Sequence, residues 1–108
     1  MKVIGEIIGG EGRATRLGFP TFNMVLPGGV EDGVYAGKAK YVGDEYKAVI
    51  FADERRGILE AHLLGFDTKE RERTIEIEIL DKIRGTRVFK NDEDLVERIK
   101  KDIEGVYK

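Results

Sequence analysis

The sequence contains no cysteine and a single histidine. The first absence removes disulfides, thiolate metal sites and a cysteine nucleophile. The second argues against a zinc site built on paired imidazoles. An excess of one charge is missing too: 19 Lys and Arg stand against 21 Asp and Glu, for a net charge of −2. So balanced a chain lacks the basic footprint of a general nucleic-acid binder, and no strand carries a clear row of aromatics on which bases could stack. No apolar run approaches the roughly 20 residues of a membrane span, and no signal-peptide pattern is visible. The expectation is a cytoplasmic, monomeric chain with neither membrane nor nucleic-acid partner. Its 108 residues suit one domain, residues 1–108, around one core. At that length about two-thirds of the unfolded surface is buried on folding, enough to dispense with staples.

What is present is organised by period. "KVIGEII" alternates imperfectly and predicts a first strand. From Gly9 to Gly29 glycines abound and both prolines occur, which predicts one long irregular loop. A loop that long in a small domain is usually functional or disordered, and its Leu17, Phe19, Phe22, Met24, Val25 and Leu26 argue against disorder. "GVYAGKAKYVGDEYKAVIFA" reads as a hairpin turning at Gly43-Asp44. Val34, Ala36, Lys38 and Lys40 fall on one face, Tyr35, Gly37, Ala39 and Tyr41 on the other. "GILEAHLLGF" reads as a fourth strand, with Leu59, Ala61 and Leu63 opposite Glu60, His62 and Leu64. "RTIEIEILDKIR" is the clearest strand, Ile75, Ile77 and Ile79 inward and Glu76 and Glu78 outward.

Near the end the period changes. Leu95, Ile99, Ile103 and Val106 recur at helical spacing. Asn91 supplies an N-cap, Asp92, Glu93 and Asp94 complement the helix dipole, and Gly105 marks the expected end, giving a helix from about Asp92 to Glu104. Strands followed by one helix predict a mainly β domain. Closing its sheet into a small antiparallel barrel would remove the edges, and the helix would lie on the barrel wall or plug one end.

Two places invite chemistry. In "GRATRLGFPTFN", Gly12 and Gly18 permit close backbone approach to a ligand. Arg13 and Arg16 supply cations suited to phosphate. Gly-Phe-Pro, ending at Pro20, fixes the backbone before Thr21. The Thr21 hydroxyl and Asn23 carbonyl are hard oxygen donors that Mg²⁺ accepts beside phosphate oxygens. A structural turn carrying surface arginines is the competing reading. The second place is Glu60, a carboxylate in an otherwise apolar strand: either a wet outer face, or a base in a partly dry site. His62 on the same face is a hydrogen-bonded structural residue or a second functional group. The charge runs "ERRG" and "TKERER" read as solvated turns with no chemistry, and Arg84 as a surface cation or the lip of the site.

"GRATRLGFPTFN" resembles the signature of the riboflavin kinase (flavokinase) family, approximately Gly-Arg-Gly-x-x-Leu-Gly-Phe-Pro-Thr-Ala-Asn. "GVYAGKAKY", "LEAHLLGFD" and "KIRGTRVFKNDEDLVERIKKDIE" are similar to further family segments in the family's order. The resemblance implies a Greek-key β-barrel of about six strands with a C-terminal α-helix. It implies transfer of a phosphoryl group from ATP to riboflavin, giving FMN and ADP, with Mg²⁺ or a similar divalent metal. Carried over, Thr21 and Asn23 hold the metal. Gly12, Arg13, Thr15, Arg16, Gly18, Pro20, Thr21 and Asn23 meet the nucleotide. Glu60 is the base, and Arg84 and Phe89 border the flavin. Four departures accompany it: Ala14 for a usual glycine, Phe22 for a small residue, no Pro-Thr-Phe segment before the glutamate strand, and no Tyr-Gly after "GFD". With no adenylyltransferase domain in the sequence, a stand-alone kinase-like domain is expected. A non-catalytic flavin- or nucleotide-binding module of the same fold is the alternative.

Overall fold

Alternation of buried and exposed residues builds the sheet. In β6 (Thr74–Arg84), Ile75, Ile77 and Ile79 are buried while Glu76 and Glu78 between them point outward. In the computed structural model, which describes residues 1–9, 13–66 and 71–107, β6 is joined by β1 (Lys2–Glu6), β2 (Phe22–Val25), β3 (Gly33–Tyr41), β4 (Asp44–Asp53) and β5 (Ile58–Leu63). Two helices complete the elements, the single turn α1 (Arg13–Arg16) and the long α2 (Asp92–Tyr107).

All pairings are antiparallel, in the order β1-β6-β3-β4-β5-β2. Strands β3, β4 and β5 form a meander, and β6 returns to lie beside β3, which is a Greek key. The two end strands then meet. Just beyond β1, Ile8 N–H donates to the Asn23 carbonyl of β2 at 2.8 Å, nearly closing the sheet into a barrel. Inside lie Met24, Tyr41, Ile50, Leu59, Ile75 and Ile77, each 4% exposed or less. Gly37 is required where β3 crosses β6 at a register shift, because a Cβ there would collide with the Glu78 carbonyl.

α2 lies on the outer wall over β3 and β4 rather than in the barrel mouth. The outward-facing Val34 and Val49 are correspondingly buried, and so is Ile99 on the helix. Leu95 and Ile103 flank it, half-buried. Asn91 caps the helix, its Oδ1 accepting from Asp94 N–H at 2.9 Å.

Several expectations shift. The stretch from Gly9 to Gly29 is not one loop: it contains α1 and β2. Four residues between proline and glycine neighbours become a strand because β5 and Ile8 offer pairing on both sides. "ILEAHL" is therefore the fifth strand. The hairpin turns at Val42-Gly43, one residue early, with both residues at positive φ (51° and 80°) as a two-residue hairpin loop demands. Gly105 does not end α2, which continues to Tyr107. Gly12 and most of the segment after Phe66 lie outside the described residues.

Candidate functional site

The register of β2 on β5 decides which side chains share a face. Asn23 is the direct cross-strand partner of Glu60, so both project to the same side of the sheet. Thr21 stands two residues before Asn23, and its hydroxyl donates to Asn23 Oδ1 at 3.3 Å. One row thus carries a hydroxyl, an amide oxygen and a carboxylate. Both Asn23 and Glu60 are buried, at 7% and 8% exposure, so Glu60 is a carboxylate largely withdrawn from water.

Local structure sets the row. α1 ends as Phe19 N–H bonds back to the Ala14 carbonyl at 2.9 Å, and Gly18 takes φ +96° to make that turn. The Thr15 hydroxyl accepts from Thr21 N–H at 3.3 Å, holding the entry to β2. His62 Nδ1–H donates to the Pro20 carbonyl at 2.7 Å, with Phe19 packed edge-on against the ring. His62 is accordingly a hydrogen-bonded support of the Thr21 segment. Arg16 remains exposed at the end of α1. Two departures from the family pattern have local explanations. Ala14 sits in helical backbone, where glycine has no advantage. Phe22, on the opposite face from Thr21 and Asn23, packs against Tyr41 and Phe66 with centroids 4.8 and 5.3 Å away.

Clefts lie on either side of the row. One, of about 480 Å³, is lined by Glu60, Arg13, Arg56, Arg84, Phe89 and Ile99 among others. The second, of about 720 Å³, is lined by Gly18, Pro20, Thr21, Phe22, His62, Phe66 and Tyr107 among others. Thr21 borders one and Glu60 the other.

The arginines are not equivalent. Arg13 donates to Asp92 Oδ1 at 2.8 Å and to the Phe89 carbonyl at 2.9 Å, tying α1 to the start of α2. Arg84, the last residue of β6, makes a two-pronged ion pair with Asp102 of α2. Its guanidinium also faces the Phe89 ring at 5.9 Å, as Arg87 does at 5.6 Å. The two residues expected to border a flavin are therefore neighbours at the edge of the smaller cleft.

Arg56 corrects the reading of "ERRG" as a solvated turn without chemistry. Its Nη2 donates to Glu60 Oε1, while its Nε donates to Asp53 Oδ2 at 2.7 Å. The hydrogen bond from Arg56 holds the Asp53 carboxyl below its ordinary 3.8. Asp53 first, then Glu60, raises the Arg56 guanidinium above its own.

For a divalent metal, the fitting donors are Thr21 Oγ1 and Asn23 Oδ1. They are adjacent hard oxygens, and their mutual hydrogen bond leaves lone pairs on both free. Among the described residues no three His, Cys, Asp or Glu side chains cluster as a metal cage.

The sequence model of the flavokinase family, riboflavin kinase, matches residues 1–108. The chain belongs to the riboflavin kinase family. It is 34% identical over 118 residues to the bifunctional riboflavin kinase/FMN adenylyltransferase of Buchnera aphidicola subsp. Schizaphis graminum, covering 99% of this chain and 38% of that protein. With the enzyme of the same description from Bacillus subtilis, the identity is 33% over 110 residues, covering 91% of this chain and 35% of the relative. The chain thus spans little more than a third of these curated relatives. The riboflavin kinase of Trypanosoma brucei superimposes with a TM-score of 0.68 at 22% identity, over 98% of this chain and 76% of its own. A Streptococcus pneumoniae chain described as a macrolide-efflux protein reaches 0.81 at 24% identity, over 99% of this chain and 36% of its own. At those identities the structural likeness establishes a shared riboflavin kinase barrel fold. No helix among the described residues is long and apolar enough to cross a membrane.

Proposed function

We propose that residues 1–108 form one kinase domain that transfers the γ-phosphoryl group of a nucleoside triphosphate, ATP, to the ribityl 5′-hydroxyl of riboflavin, giving FMN. The observation that carries the reading is the Asn23–Glu60 pairing, which sets a buried carboxylate beside two metal-type oxygens, with a cleft at each end of the row. Family membership supports the same chemistry.

In this reaction the hydroxyl oxygen forms a bond to the γ-phosphorus, the bond to the β-phosphate oxygen breaks, and ADP leaves. Glu60 accepts the hydroxyl proton. A primary alcohol is a poor nucleophile, so a positioned base contributes as the transfer proceeds. Thr21 and Asn23 hold the divalent metal, Mg²⁺, which when bound neutralises charge on the phosphates. Gly12, Arg13, Thr15, Arg16, Gly18 and Pro20 shape the nucleotide loop. Arg84 and Phe89 border the flavin, Phe89 by its ring and Arg84 by holding the edge of the cleft. The protein acts as a cytoplasmic monomer on small molecules.

Incubating the purified chain with riboflavin, Mg²⁺ and each of several nucleoside triphosphates tests the proposal. FMN formed with ATP supports it. No FMN with any donor, together with retained flavin binding, would leave a non-catalytic binding module.

A further inference from the structure

The turn between β4 and β5 carries the one ion pair to Glu60 among the described residues. The Glu60 side chain is 10% exposed, and Arg56 reaches only its Oε1. Among the described residues no side-chain or backbone donor engages Oε2. Arg56 is itself held from behind. Asp53 accepts from Arg56 Nε at 2.7 Å and from its backbone N–H at 3.3 Å, so side chain and turn are fixed together. The turn is pinned again by Gly57, at φ +65°, whose carbonyl accepts from Leu26 N–H at 2.8 Å just after β2. The brace thus spans the turn that joins two of the strands lining the smaller cleft, with Asp53 closing β4 and Glu60 within β5.

We propose that Arg56, braced by Asp53, is a positioning residue for Glu60. A carboxylate in a cleft can rotate about its last bond and present either oxygen. With Oε1 fixed by a charge-assisted hydrogen bond, that rotation is stopped and Oε2 is left facing the cleft to meet the substrate hydroxyl. The guanidinium also supplies the opposite charge that a carboxylate withdrawn from water requires. Arg56 acts through Glu60, and Asp53 acts through Arg56. The inference rests on the phosphotransfer reading of Glu60.

The test compares wild type, Arg56→Met, Arg56→Lys, Glu60→Gln and the Arg56→Met/Glu60→Gln pair in FMN-forming assays with riboflavin and Mg-ATP. Thermal melts establish that each variant is folded. Arg56→Met should lower kcat by about tenfold or more while KM for both substrates stays within about threefold, the signature of a displaced catalytic group. Arg56→Lys should recover part of the loss. In the Glu60→Gln background, Arg56→Met should have no further effect, because nothing remains to be aimed. Should Arg56→Met melt before assay, Asp53→Asn, which loosens the brace without removing the cation, should reproduce a smaller fall in kcat. Wild-type kcat in Arg56→Met, or an equal loss in the Glu60→Gln background, overturns the positioning role and leaves Glu60 as the base. A wild type that makes no FMN with any donor overturns the phosphotransfer reading and this inference with it.

Discussion

Arg84 and Asp102 meet through two parallel hydrogen bonds, Nε to Oδ1 at 2.9 Å and Nη2 to Oδ2 at 2.8 Å, and the Asp102 side chain is wholly buried. The pair bolts the end of β6 to the middle of α2. Removing one partner of such a pair leaves the other charge buried and uncompensated, which costs about 3–5 kcal/mol. Asp102→Asn should therefore lower the urea midpoint strongly. Arg98 Nε also lies 3.4 Å from Asp102 Oδ1, so replacing Arg84, Arg98 and Asp102 together with apolar residues of similar volume should restore much of the loss. A single variant as stable as wild type would show that α2 is held by its apolar contacts alone.

Glu60→Gln separates an enzyme from a binding module. The amide keeps the size of the side chain and cannot take a proton. The variant should fold and bind riboflavin as before, with FMN formation lower by about 10²–10⁴-fold. Riboflavin binding is read by the change in flavin fluorescence, turnover by FMN produced. Undiminished turnover would remove Glu60 from its assigned role.

Thr21→Ala deletes one of the two oxygens proposed to hold the metal and the hydrogen bond to Asn23. Nucleotide binding measured calorimetrically should weaken when Mg²⁺ is present and change little when it is chelated. Equal losses under both conditions would mean that Thr21 shapes the loop rather than the metal site.

Asp53 gives the chain a definite acid response. Its folded carboxyl titrates below the ordinary 3.8 because Arg56 is hydrogen-bonded to it. A lowered carboxyl contributes stability that is fully present above the unfolded value and is lost as pH falls through the folded one. The stability gap between wild type and Asp53→Asn should thus stay constant at neutral pH and narrow below about pH 4. Denaturant midpoints measured across that window give the comparison.

Much of the barrel was legible because its signal is repetition. Ile75, Ile77 and Ile79 announce an inward face, and Leu95, Ile99 and Ile103 a helix. The Thr21–Asn23 pair and Glu60 were visible as polar groups in unexpected company, but nothing local says that they face one another. That depends on a pairing between strands more than thirty residues apart. β2 was missed because four residues cannot show a period and because glycine and proline surround them. Arg56 was invisible for another reason: among Glu54, Arg55 and Arg56, residue type alone does not tell which cation turns inward. Asp102 left a usable trace. It falls on the stripe Leu95, Ile99, Asp102, Val106, where a lone acid at a core position asks for a buried partner.

The strand order also sets a timetable for assembly. β2 is second in the chain yet pairs with β5, and β1 pairs with β6. Contacts between distant segments slow folding, because the loop must be closed before any pairing rewards it. While the chain is being made, Thr21 and Asn23 emerge early, with Ile8 at hand, but their β5 neighbours follow only once Leu63 has been made. Glu60 arrives on the very strand that gives β2 its partner. The row is therefore complete before the barrel is, because closure waits for β6 to bridge β1 and β3.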